Sequence, residues 1–292
     1  MSPHPIHFLA GAIALMMSSV AAAYVPETVY FASADGRTEI VGYLYRPAGN
    51  GPFPAMVLLH GRGGLYSTNA NAGCTLVARS VTSPCNAATL AKRHKMWGEY
   101  WAARGHLALL ADSFGPRGKG RGFGRFTHGD PEREDVNERT VRPLDAEGAL
   151  AYLKGRGDVM ANNIFLQGWS NGASTALNVV FRQGAKADGF RAVLAFYPGC
   201  GPQSLLGQTL TTRVPVTLLL GSEDEEVSPT ICQRVAEQSR SAGSPIDVIL
   251  YQGATHGFDD PGRRRQADAA NRAASRDALQ RAIGIIGAQR GN

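Results

Sequence analysis

The stretch NIFLQGWSNG, residues 163–172, sets a serine between two glycines where a β-like run ends and a helix-like run, ASTALNVVF, begins. A strand, a turn of one or two residues and a helix must meet there at a sharp corner. Gly168 and Gly172 leave room for that, because a Cβ at either site would meet the neighbouring strand or helix. Such a strand–turn–helix corner lifts the hydroxyl of Ser170 out over the end of a sheet.

Around this corner, short apolar runs alternate with helix-like stretches. The expected strands are Thr28–Ala32, Glu39–Tyr45, Ala55–His60, Leu107–Asp112, Asn163–Gly168, Ala192–Tyr197, Val214–Gly221 and Asp247–Tyr251. The first two, joined at Asp35-Gly36, read as an antiparallel hairpin. The later ones (MVLLH, LALLA, IFLQG, AVLAF, VTLLL) are apolar throughout, as strands buried on both faces of a parallel sheet are. Helices are expected around Trp97–Arg104, Leu144–Lys154, Gly172–Arg182, Pro229–Ala242 and Ala269–Ala288. The order implies an α/β fold, a mostly parallel, doubly wound sheet with helices on both faces. With 43% hydrophobic and 18% charged residues, the 292-residue chain is neither disordered nor fibrous. Its net charge of +6 bears on solubility and names no partner, and nothing in it requires nucleic acid.

Phe8 to Val20 is apolar and runs into Ala21-Ala22-Ala23. That pattern is expected of a secretory signal cut after Ala23, leaving residues 24–292 as one domain. The run is too short for the ~20 residues a membrane span needs, so a secreted or periplasmic protein without stable membrane insertion is expected. In an oxidising compartment Cys74, Cys85, Cys200 and Cys232 are expected in two disulfides. Three pairings are open; Cys74–Cys85 would close one loop, and Cys200–Cys232 would staple a strand end to a helix. None has metal-ligand spacing, and no metal or cofactor is expected.

A serine hydroxyl needs a base and an orienting acid to act as a nucleophile. Downstream of Ser170 the sequence has a single histidine, His256, in a loop after the last strand. Gly221-Ser222-Glu223-Asp224-Glu225-Glu226 follows the VTLLL strand. Asp224 is the expected acid, since its short side chain can turn back to the sheet edge; Glu223 is second, and Asp259 or Asp260 third. The oxyanion donors are expected to be the N–H of Asn171 and that of Arg62, with Gly63 the alternative. His60, at the start of that loop, is expected to brace the turn. Two polar insertions, residues 65–90 and 113–137, follow strand ends, the edge where open α/β sheets bind ligands. The second opens with a Gly/Arg-rich run, GPRGKGRGFGR, expected to be a mobile basic loop, not a phosphate cradle.

The segments LLHGRGGL, ADSFGPRG, GWSNG, FYPGC, GSEDEEVSP and YQGATHGFD together resemble the exported branch of the dienelactone hydrolase family, within the α/β-hydrolase superfamily. The resemblance implies an α/β-hydrolase sheet, a metal-free triad of Ser170, Asp224 and His256, and hydrolysis of carboxylic esters or lactones of small molecules. It departs from the family in carrying serine where cysteine is usual, and in its leader, insertion and cysteines. A generic serine esterase is therefore expected before activity on dienelactone. Amide cleavage by the same triad, or polyanion binding on a hydrolase scaffold, are the alternatives. Trp169, Tyr66 and Phe114 are expected to line the acyl pocket, and Arg62 or Arg117 to meet a substrate carboxylate.

Overall fold

The computed structural model describes residues 25–290; the expected leader at 1–23 lies outside them. Eight strands form one sheet: β1 Glu27–Ala32, β2 Glu39–Tyr45, β3 Phe53–Leu59, β4 Leu107–Asp112, β5 Val159–Trp169, β6 Val193–Phe196, β7 Val216–Gly221 and β8 Ile246–Tyr251. Their order is β1-β2-β4-β3-β5-β6-β7-β8. β1 and β2 pair antiparallel, as does β2 with β4; from β4 to β8 every pairing is parallel. Helices α1 Thr68–Asn71, α2 Lys92–Ala102, α3 Arg142–Lys154, α4 Asn171–Gln183, α5 Pro229–Ser241, α6 Arg263–Gln266 and α7 Ala269–Gly287 fill the connections.

The two-residue period of the strands divides the core. Ala55, Val57 and Leu59 of β3 join Ala146 and Leu153 of α3 and Val180 of α4 on one face, with Val235 of α5. Met56 and Leu58 turn to the other, against Trp97 and Trp101 of α2 and Ile286 of α7. Burial on both sides is why these strands carry no polar alternation.

Boundaries differ where polar residues hide an element. α2 begins at Lys92, a turn before the expected Trp97, because its first turn is KRHK. The buried His94 in that turn bonds through Nδ1 to the Leu65 carbonyl at 2.8 Å. β5 likewise starts at Val159, ahead of the expected Asn163.

Both insertions are anchored. A bridge between Tyr66 and Leu90 closes the base of the first, and a disulfide joins Cys74 to Cys85 across it. The Gly/Arg run of the second lies down on the loop after β3 and on the first insertion. Phe123 N–H donates to the Arg62 carbonyl at 2.8 Å, and Gly120 N–H to that of Thr75 at 3.0 Å. Gly122 has φ of +68°, and a Cβ there would stand 2.3 Å from the Gly63 carbonyl carbon. Only glycine permits that approach.

Candidate active site

The carboxyl ends of β3, β5, β7 and β8 meet at one edge of the sheet, and each contributes a loop. β5 delivers Ser170 at φ 52° and ψ −118°, a region non-glycine residues rarely occupy. The corner is as tight as its glycines imply. A Cβ on Gly168 would lie 2.2 Å from the Gly172 carbonyl oxygen, and one on Gly172 would lie 2.1 Å from that of Leu59.

The loop after β8 brings His256 to Ser170, with Nε2 3.0 Å from Oγ. Its Nδ1 faces the Asp224 carboxylate at 2.9 and 3.1 Å. Asp224 is held in turn by the N–H groups of Glu226 and Val227, both at 2.9 Å. The bond between Nδ1 and this carboxylate leaves Nε2 free to accept the serine proton.

The other three acids stand elsewhere. Glu223 is exposed. Asp260 pairs with Arg93 at 3.2 Å. Asp259 is fully buried, and its carboxylate accepts from the indole N–H groups of Trp97 and Trp169, both at 2.8 Å, and from the Tyr197 hydroxyl. It therefore ties the residue before Ser170 to the loop that carries His256.

The loop after β3 lies beside the corner, where a Cβ on Gly61 would be 3.3 Å from the Trp169 carbonyl. Arg62 and Asn171 line the same small cavity as Ser170, about 20 Å³ in volume, together with His128, Arg133 and Glu226. That cavity shares His128, Gly199, Ser204 and Val227 with an outer groove of about 390 Å³, which Ile231 also lines. A larger groove, about 480 Å³, lies between α3 and α4; it contains none of these chemical groups.

The side chains expected to bind substrate are mostly engaged elsewhere. Trp169 is fully buried over Asp259. Tyr66 is buried, its hydroxyl donating to Asp112 at 2.8 Å and facing that of Tyr43. Phe114 lies under His60, its ring edge-on at 4.5 Å. Apolar side chains following strand ends were drawn into the core beneath the site. Arg117 forks onto Asp145 with two bonds of 2.8 Å and also reaches Asp35, so it points away from the site. His60 is enclosed; burial, then the nearby charge of Arg142, hold its pKa well below the ordinary value, and its Nδ1 faces the Gly61 carbonyl. Arg62 does line the cavity, but its guanidinium is paired with Glu226.

Glu226 and Arg142 carried no signal that sequence reasoning recognised. Glu226 is one of four acids in its loop, and only the fold turns it toward His256, 3.4 Å from Nε2. Burial resists its ionisation, but the bond from Arg62 and the charges of His256, Arg62 and Arg125 outweigh that and hold its pKa below the usual carboxylate range. Among the described residues no group of three His, Cys, Asp or Glu is arranged to hold a metal.

Known proteins with this architecture share its outline at low identity. A dienelactone hydrolase-like promiscuous phosphotriesterase from metagenomic libraries is 18% identical, with a TM-score of 0.69 over 92% of this chain and 100% of that one. A thermophilic esterase from the planctomycete Thermogutta terrifontis, solved with propionate bound, is 16% identical, with a TM-score of 0.61 over 92% and 97%. At such identities the likeness speaks for the fold. The family model of the dienelactone hydrolases matches residues 89–289, more than half of the chain, and takes in the Ser170 corner, the Asp224 loop and the His256 loop. The chain belongs to the dienelactone hydrolase family.

Proposed function

We propose that this protein hydrolyses carboxylic esters or lactones of small molecules through an acyl-enzyme on Ser170. The observation that carries this is the position of His256, one nitrogen on Ser170 Oγ and the other on Asp224. Nε2 takes the hydroxyl proton as Oγ attacks the ester carbonyl carbon. Negative charge then develops on the carbonyl oxygen, where the N–H groups of Arg62 and Asn171 would receive it. His256 returns its proton to the leaving alcohol oxygen as the carbon–oxygen bond breaks. Water repeats the sequence on the acyl-serine and releases the acid. Asp224 keeps the imidazole in the productive tautomer and stabilises the imidazolium between steps.

The outer groove between Gly199–Ser204 and Val227–Ile231 shares four lining residues with the cavity at Ser170 and is the path we assign to substrate. The apolar run Phe8 to Val20 ending in Ala21-Ala22-Ala23, together with the two disulfides, supports export to a secreted or periplasmic location, with residues 24–292 as the mature domain.

The test is hydrolysis of p-nitrophenyl acetate and butyrate by the mature protein and by Ser170→Ala. Folded variant without activity supports the proposal; equal rates in both would overturn it.

A further inference from the structure

Arg142, the first residue of α3, is fully buried at the back of the site. Its Nη1 donates to the side-chain oxygen of Asn171, and its Nη2 to the backbone carbonyl of His60 at 2.7 Å. The guanidinium lies 5.0 Å from the centre of the Phe114 ring. Among the described residues it has no carboxylate within ion-pair distance, and its Nε has no hydrogen-bond partner. Burying a cation without a direct counter-charge is costly, so its position calls for an explanation.

The explanation lies in what the two bonds join. Asn171 follows Ser170 at the corner, and His60 opens the loop that carries Arg62. These are the two segments that carry the oxyanion donors of the proposed reaction. They come from different strands, β5 and β3, and their N–H groups must converge on one oxygen within a few tenths of an ångström. Arg142 reaches in from a third element and holds both through one rigid, planar fork. Its charge also lies buried behind the donors, where a cation favours negative charge in front of it more than it would in solvent.

We infer that Arg142 is a positioning residue of the oxyanion site, fixing the Asn171 and Arg62 donors relative to each other and biasing them toward a developing oxyanion. Lysine has all its donors on one nitrogen and lacks the planar two-nitrogen fork, and methionine donates neither bond while keeping similar bulk. The inference rests on the acyl-transfer reading above, and its failure is separable from that reading's. If Ser170→Ala abolishes turnover but Arg142 variants do not change it, only the inference falls.

The experiment compares wild type with Arg142→Lys, Arg142→Met and Asn171→Ala. It measures kcat and KM on p-nitrophenyl acetate and the Ki of an alkyl trifluoromethyl ketone, whose adduct with the serine carries a tetrahedral oxyanion. Thermal melts confirm folding. The expected result for Arg142→Met is a fall in kcat of about 100-fold with KM little changed, and a rise in Ki by a similar factor. Arg142→Lys should fall between Met and wild type. Should the methionine variant not fold, the lysine and Asn171→Ala variants carry the test: each should lower kcat and weaken the ketone in parallel. Folded variants with wild-type kcat and Ki, or with KM raised and kcat unchanged, would overturn it.

Discussion

Glu226 holds a carboxylate oxygen 3.4 Å from Nε2 of His256, the same nitrogen that stands 3.0 Å from Ser170 Oγ. The imidazole thus has a carboxylate at each end, with Asp224 on Nδ1. Arg62 and Arg125 pair with Glu226 from the outer side.

The first prediction follows from that charge. Glu226 is held in its ionised form, against the effect of burial, by Arg62 and its neighbours. An anion beside Nε2 favours the protonated imidazole, the form that cannot accept the serine proton. Glu226→Gln should therefore move the acid limb of the kcat/KM profile to lower pH. The profile of the variant against wild type, from pH 4.5 to 8, checks it; an unmoved or upward-shifted limb would refute the assignment. The same group should affect folding. Because its folded pKa is depressed, its stabilisation is present above the unfolded value and fades as pH falls through the folded one.

A second prediction concerns strain at the corner. Ser170 sits at φ 52°, where a non-glycine residue costs about 1–3 kcal/mol. Ser170→Gly removes that cost while giving back part of it as unfolded-chain entropy, ~0.5–1 kcal/mol. The inactive variant should be more stable than wild type by roughly 1 kcal/mol, read as a higher urea midpoint. A lower midpoint would show that the side chain is not strained.

Asp259 offers a third. Its two oxygens serve two indoles and a phenol, and an asparagine there would turn an NH₂ group toward one of those donors. Asp259→Asn should lose about 2–4 kcal/mol of stability. It should also lower kcat, since Trp169 and the His256 loop are both anchored on it. A variant with reduced stability and undiminished kcat would limit Asp259 to holding the core.

The disulfides supply the last. Cys200–Cys232 spans 32 residues and Cys74–Cys85 spans 11. Loop entropy then makes the first worth about 3.7 kcal/mol and the second about 1 kcal/mol less. Cys200 also lines the outer groove, so Cys200→Ala with Cys232→Ala should raise KM, whereas Cys74→Ala with Cys85→Ala should not. Chemical denaturation and ester kinetics on the two double variants separate them. Equal losses in stability would show that strain or local packing, not loop length, governs these bridges.

The sheet was legible in the chain because burial on both faces writes itself as continuous apolar runs, and the Ser170 corner because its glycines are required by close backbone approach. Loops following strand ends in a parallel sheet gather at one edge by topology, so the order of strands along the chain already brings the Ser170, Asp224 and His256 loops there. What the sequence by itself determined, then, was which strands form the sheet and which loops gather at the carboxyl edge of its parallel strands. The tertiary structure alone decided which side chains face the cavity there. Trp169, Tyr66 and Phe114 were drawn into the core, Arg117 was taken up by Asp145, Glu226 was turned toward His256, and Arg142 was set behind Asn171. The physical reason is range. Backbone periodicity and turn chemistry act over a few neighbouring residues, whereas the pairing of a buried charge depends on partners that only folding brings together, from as far apart as residues 60, 142 and 171.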